Sequence, residues 1–207
     1  MQAGLGVERI MDEEYFVHGT SIVDEHASIG RNTRIWQFCN IMKDVVIGND
    51  CNIGQNVFME AGVKIGNKVK IKNNISIYQG VECEDGVFLG PNCVFTNVIN
   101  PRSFIEKKDQ LKKTLIKRGA TVGANATIVC GNSIGRYAMV GAGSVVTKEV
   151  HDFELVVGNP AHKIGYACIC GERLEECGGE WNCKVCGRKY EWQNDTLQYR
   201  GEEDGIY

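Results

Sequence analysis

The stretch "IGNDCNIGQNVFMEAGVKIGNKVKIKNNISI", Ile47 to Ile77, carries a large apolar residue at every sixth position: Ile47, Ile53, Met59, Ile65, Ile71 and Ile77. The register extends back through Ile41, Ile35, Ile29, Val23 and Val17, and forward through Cys83, Leu89 and Phe95. Two residues before most stops stands a small or β-branched side chain, as at Thr33, Cys39, Val45, Cys51, Val57 and Val63. A helix of 3.6 residues per turn cannot keep a six-residue register over this distance. Repeated hexapeptides are the signature of a parallel β-helix, in which short strands turn at corners and each coil buries its neighbour's apolar edge. Three hexads give a coil of about eighteen residues. Glycine often follows the aliphatic stop, as at Gly48, Gly54 and Gly66, and is read here as supplying corner dihedrals that other residues resist.

The rhythm fails after "VFTNVINPR", Val94 to Arg102. Val122 lies 27 positions beyond Phe95, which is not a multiple of six, and the phase then continues through Ile128, Ile134, Val140 and Val146. Residues from about 98 to 120 are therefore expected to leave the helix as an extruded loop. This segment holds Arg102, Lys107, Lys108, Lys112, Lys113, Lys117 and Arg118. A solvated charge run explains it, and so does a guide for a polyanionic ligand such as a nucleotide diphosphate or coenzyme A.

Positions eighteen apart should stack on one outer face. Gln37, Gln55 and Asn73 then form one column. Glu60, Tyr78 and Thr96 form another, with Gln79 under Asn97 beside it. Amide ladders stabilise stacked coils without any ligand. The column ending at Thr96 and Asn97 adjoins the interruption, and loops on a rigid scaffold are where binding groups gather. The column ending at Thr96 and Asn97 is thus read as a ligand contact, with Tyr78, Gln79, Thr96, Arg102 and Asn73 as substrate-binding candidates.

The net charge of −3 gives no basic field for nucleic acid. No apolar run approaches the ~18 residues of a membrane span. The start, "MQAGLGVERIMDEEYF", is too polar for a signal peptide, so a cytoplasmic protein is expected. Met11 is an alternative start, because nothing before it joins the pattern.

Ten cysteines fall into two groups, and Cys39, Cys51, Cys83, Cys93 and Cys130 are scattered through the regular part. Cys39, Cys51, Cys83 and Cys93 occupy inward positions of the hexad register and act there as small hydrophobes. Cys168, Cys170, Cys177, Cys183 and Cys186 crowd into "CICGERLEECGGEWNCKVCGRKYEW". C-x-C-G at Cys168 and Cys170, and C-x-x-C-G at Cys183 and Cys186, are two glycine-followed knuckles suited to a tetrahedral structural zinc. The first pair is tighter than usual, which leaves Cys177 open as a substitute ligand. About thirty residues bury little core, so metal should largely determine this fold. The expected organisation is an extension at 1–16, a β-helix at 17–167, a zinc ribbon at 168–192 and a flexible tail at 193–207.

"KIKNNISIYQGVECEDGVFLGPNCVFTNVINPR", "GATVGANATIVCG" and "VVGNPAHKIG" resemble the bacterial and archaeal nucleotide-sugar N-acetyltransferases over about Val17 to Ala167. Within them the chain looks most like the branch acting on the 3-amino group of UDP-2-acetamido-3-amino-2,3-dideoxyglucuronate, for surface polysaccharide or glycan synthesis. The resemblance implies the left hand of the β-helix, which periodicity cannot show. It also implies acetyl-CoA as cosubstrate, a homotrimer with active sites between subunits, and an asparagine, here Asn97, set against the sugar amine. If the sugar is a uronate, Arg102 has the fork geometry for its carboxylate. Lys163, after "GNPAH", is the candidate for the coenzyme phosphates. The four histidines, His18, His26, His151 and His162, lie away from the Asn97 face, so the departing thiolate is expected to collect the proton. Two other readings stand beside this one. A γ-type carbonic anhydrase would need three histidines on the coil faces, and none lies between His26 and His151. A non-catalytic scaffold would leave the basic loop and the Asn97 column without a purpose.

Overall fold

In a computed structural model, which describes residues 10–11, 14–194 and 196–201, the hexads become short strands. Arg34–Ile35, Asn40–Ile41 and Val46–Ile47 are three in succession, one on each side of a triangular coil. Stacking is parallel and in register. Ile35 pairs with Ile53, Ile53 with Ile71, and Ile71 with Leu89, each step being eighteen residues. A second side aligns Val23, Ile41, Met59 and Ile77, and a third Ile29, Ile47, Ile65 and Cys83. These stops and the residues two before them, from Ile35 and Cys39 to Cys93 and Phe95, form one continuous core. Fully burying one aliphatic side chain contributes about 1.5–3 kcal/mol, and the helix gains this once or more per hexad. The inward thiols belong to this core. Burial raises the pKa of Cys39, Cys51 and Cys83, and pushes that of Cys93 up to about 12.

The corners differ from expectation. The left-handed conformation falls three residues before most aliphatic stops, at Asn32, Asp44, Asp50, Asn56 and Asn74 among others. Asparagine and aspartate tolerate that region because their short polar side chains bond locally. The glycines after the stops are needed for a different reason. A Cβ on Gly48 would sit 2.6 Å from the carbonyl oxygen of Gly66 in the next coil. Close approach between coils, rather than dihedral freedom, selects glycine there.

The interruption is also shorter than expected. Thr114–Ile116 already pairs with Val81–Cys83, so the helix resumes one hexad before Val122. Ile116 is in phase with Val122, but Lys112, Lys113, Lys117 and Arg118 around it make the segment look like loop. Leu89 and Val122, which stack on one another, are 33 positions apart where a plain coil takes 18. A single 3₁₀ turn, Lys108–Gln110, lies within the loop.

Antiparallel strands close the ends of the longest sheet. Ile10–Met11 pairs with Phe16–Val17, and His162–Tyr166 pairs with Glu154–Val157. No helix among the described residues is long and apolar enough to cross a membrane.

Beyond Ala167 the chain forms a four-stranded antiparallel sheet of Glu175–Cys177, Glu180–Asn182, Lys189–Gln193 and Thr196–Tyr199. The last strand corrects the expectation of a flexible tail from residue 193: it pairs with Lys189–Gln193 and buries Leu197. Residues 202–207 lie outside the described residues. The ribbon also lacks a core of its own. Tyr137 and Phe153, from corners of the last coils, share a cluster with Tyr166, Leu174, Tyr190 and Leu197. Phe153 stacks on Tyr137 and meets Tyr190 edge-on, with ring centroids 5.4 Å apart in both pairs.

Candidate active site and candidate metal centre

Where the loop leaves the helix, the chain is pinned twice. The N–H of Lys112 donates to the carbonyl oxygen of Asn97 at 2.9 Å, closing the loop at its base. The N–H of Cys130 donates to Thr96 Oγ1 at 3.0 Å, bridging the coils on either side of the loop. Between loop and coil lies a cleft of about 290 Å³ lined by Glu60, Gln79, Asn97, Arg102, Lys107 and several apolar loop residues. The Asn97 side chain is half-buried and its amide makes no side-chain hydrogen bond among the described residues. Arg102 is exposed and forms no ion pair among the described residues. Lys107 Nζ donates to the carbonyl oxygen of Asn100 at 2.6 Å.

Three of the six candidates for this site, Gln79, Asn97 and Arg102, therefore meet in one cleft. The other three do not line it. The Thr96 hydroxyl oxygen accepts the N–H of Cys130. Tyr78 packs edge-on against Phe58, with centroids 6.3 Å apart. Asn73 Oδ1 accepts the N–H of Gln55 at 3.2 Å and borders a separate groove with Trp36 and Gln37. That bond belongs to the same kind of ladder as Asn67 Oδ1 accepting Asn49 N–H at 2.9 Å. Lys163 borders another cleft, between the last coil and the ribbon. Its ammonium donates to Tyr166 Oη at 3.1 Å and pairs with Glu154 at 3.2 Å, and those partners raise its pKa.

Sequence reasoning placed Glu60 in the column but not in the site. Its Oε2 accepts the N–H of Gln79 at 2.8 Å, nineteen residues on, so the carboxylate is held beside Asn97. Lys107 was visible only as part of a basic run. Its distinction from Lys112 or Lys113 is the turn of the loop, which leaves no sequence signal. None of the four histidines lines the cleft. His26 bonds Asp24, His151 borders the ribbon cleft, and His162 lies against Gly158.

In the ribbon, the Sγ atoms of Cys168, Cys170, Cys183 and Cys186 all lie within 4.8 Å of one another. Cys168 and Cys186 are 3.4 Å apart, and Cys170 and Cys183 are 3.6 Å apart. A tetrahedron with metal–sulfur bonds of about 2.3 Å has edges of about 3.8 Å, so four thiolates here fit one zinc-sized ion with no open position. Cys177, on an exposed strand, is outside the group, and the short first knuckle supplies both its cysteines. Tyr190 Oη lies 3.1 Å from Cys168 Sγ and accepts the N–H of Ile169 at 2.9 Å, tying the cluster to the shared aromatic core.

Comparison with known proteins agrees with this architecture. The model of bacterial transferase hexapeptide (six repeats) matches residues 26–61. The hexapeptide repeat of succinyl-transferase matches residues 44–79 and 116–148. The second range begins at Ile116, where the structure restarts the helix. The dTDP-3-amino-3,6-dideoxy-alpha-D-galactopyranose 3-N-acetyltransferase of Aneurinibacillus thermoaerophilus is 48% identical over 185 residues, covering 89% of this chain and 95% of that protein. The chain belongs to the hexapeptide-repeat family of sugar-nucleotide N-acetyltransferases, enzymes built on the left-handed β-helix. Two solved structures share the fold. A hexapeptide-repeat acetyltransferase of Vibrio cholerae O1 biovar eltor, complexed with acetyl coenzyme A, superposes with a TM-score of 0.53 at 23% identity, covering 59% of this chain and 70% of that one. A variant of AntD, an N-acyltransferase from Bacillus cereus, complexed with dTDP-4-amino-4,6-dideoxyglucose and coenzyme A, gives 0.51 at 22% identity, with 73% and 80% covered.

Proposed function

We propose that the cleft at Asn97 takes the amino group of a nucleotide-linked 3-amino sugar and that acetyl-CoA acylates it there. The observation that supports this most is the gathering of Asn97, Gln79 and Arg102 around one cleft at the base of the loop. Acyl transfer from a thioester needs a neutral amine aimed at the carbonyl carbon, a donor for the oxyanion and an acceptor for a proton. An aminosugar nitrogen titrates near pH 8, like an α-amino group, so part of it is neutral at pH 7. The Asn97 carboxamide oxygen accepts one N–H and directs the lone pair. Such positioning is a substantial catalytic term without a charged base. The C–N bond forms as the C–S bond breaks, and the leaving thiolate takes the remaining proton.

For the sugar, the 48% identical relative favours a dTDP-linked 3-amino-3,6-dideoxyhexose. Arg102 in the cleft supports a second reading, the UDP-linked 3-amino uronate, whose carboxylate it would meet. Both place the amine at carbon 3. Acetyl-CoA turnover against a panel of dTDP- and UDP-linked amino sugars decides between them, and no thiol release with any member sinks both. Lys163 would have to exchange Glu154 for a phosphate in order to hold the coenzyme.

We infer a homotrimer as the working state. Ile99, Phe104 and Ile105 on the loop, and Ile22 and Phe38 on the early coils, are large apolar side chains exposed on a single chain. Sedimentation as an active monomer would overturn it. We infer also that the cysteine cluster holds one structural zinc.

A further inference from the structure

The cleft carries both signs of charge. Arg102 and Lys107 enter from the loop, and Glu60 enters from the coil. Glu60 pairs with neither cation: among the described residues it makes no ion pair, and only its Oε2 is used, by the N–H of Gln79. Oε1 is left without a protein partner in a half-buried position next to Asn97. A carboxylate fixed by one oxygen and open at the other suits a cationic ligand group.

We propose that Glu60 is the residue that selects an amino sugar over its hydroxy counterpart, its Oε1 receiving the acceptor's ammonium. This rests on the acceptor-site reading above. The sugar amine arrives mostly protonated at neutral pH. Glu60 holds it as an ion pair, with the cations of the loop left for the anionic parts of the ligand. One proton then passes to solvent, and the neutral amine turns to Asn97. Overall, ammonium and thioester give amide, thiol and one released proton, so Glu60 begins and ends as a carboxylate and is a binding and positioning group.

This arrangement has an opposing consequence. A carboxylate in contact with an ammonium favours its charged form and raises its pKa. Glu60 therefore tightens binding while moving the productive, neutral amine to higher pH. The other charged groups facing the amine are Arg102 and Lys107, which act in the opposite sense. Gln79 and Asn97 are neutral.

The test compares wild type with Glu60→Gln, whose amide oxygen can still accept the Gln79 N–H. Calorimetry uses the sugar nucleotide turned over best and its 3-hydroxy analogue. Wild type should prefer the amine by at least about tenfold at pH 7, and Glu60→Gln should lose most of that preference. In the variant KM for the acceptor should rise about tenfold, while the pKa governing kcat shifts down by about one unit. If Glu60→Gln melts early, Glu60→Asp, which keeps the charge, should keep the amine preference. An amine preference and pH profile unchanged in a folded Glu60→Gln would overturn the proposal and leave the acceptor site standing. If wild type binds and turns over no amino sugar, the reading of the cleft fails and the proposal with it.

Discussion

The carbonyl oxygen of Asn97 holds the N–H of Lys112, so the loop departs from and returns to one point on the helix. Because the bond is made by main-chain atoms, a change in the Asn97 side chain leaves it in place. Asn97→Ala should therefore lower kcat about ten- to a thousandfold, the loss of one transition-state hydrogen bond of roughly 1.4–4 kcal/mol. Its melting temperature should stay near wild type. His26→Ala and His162→Ala should each keep activity within a fewfold. An inactive but folded histidine variant beside a fully active Asn97→Ala would place the chemistry elsewhere.

Arg102→Ala should act on KM rather than kcat. If the acceptor is a uronate, KM should rise while the matching neutral hexose is little affected. Equal effects on both sugars would show that Arg102 does not read a carboxylate.

Thr96 fastens neighbouring coils through the N–H of Cys130. Thr96→Val keeps the shape and removes the acceptor for the N–H of Cys130, leaving a part-buried donor unpaired. Stability should fall by about 1–3 kcal/mol in a urea titration, with KM for both substrates unchanged. A raised KM at unchanged stability would return Thr96 to the binding site.

The inward thiols make a prediction at alkaline pH. Burial raises the pKa of Cys93 from 9.0 to about 12, and that of Cys83 is raised too. For a raised thiol the stabilising contribution is complete below the unfolded pKa, and it is lost as pH climbs towards the folded value. The unfolding free energy from urea titrations should thus decline from about pH 9 towards pH 12, by about 1 kcal/mol per pH unit for each thiol. Cys93→Ala should flatten the slope, and an unchanged slope would remove the thiols from the account.

Metal removal should reach beyond the ribbon. Tyr137 and Phe153 of the last coils share their core with Tyr190 and Leu197, so chelation should cost hydrogen-exchange protection at those corners as well as across 168–199. The early coils should keep theirs. Metal analysis should find about one zinc per chain. Protein purified without chelator that lacks zinc, or a ribbon that keeps full protection without it, would count against the site.

How much of this was legible in the sequence depends on how local each cause is. Ile35, Ile53 and Ile71 announce the helix because burial and spacing repeat from coil to coil. Cys168, Cys170, Cys183 and Cys186 announce the four-thiol cluster through their knuckles. Ile116 was masked by cations that the coil carries on its outer surface. The strand Thr196–Tyr199 was hidden because its order comes from partners in the ribbon and the last coils, not from its own composition. Asn97 was visible as the last residue before the rhythm failed. Glu60 was not, since its place in the cleft is set by a bond to Gln79 across a coil boundary. Tyr78 and Thr96 share an outward column with the lining residue Glu60, and only side-chain geometry separates them.

The antiparallel strands at both ends limit how such a molecule can change in length. A copy added end to end would meet a strand of the wrong polarity, so growth has to occur internally. An internal duplication of eighteen residues would slide in as a whole turn and leave every inward side chain inward. A length that is not a whole number of turns leaves a remainder that must stand outside the stack. The coil between Leu89 and Val122 holds 33 positions instead of 18, and most of its surplus stands out from the helix between Asn97 and Lys112. The wall of the cleft is thus the remainder of an uneven division, and it can vary in sequence and size without disturbing the count beneath it.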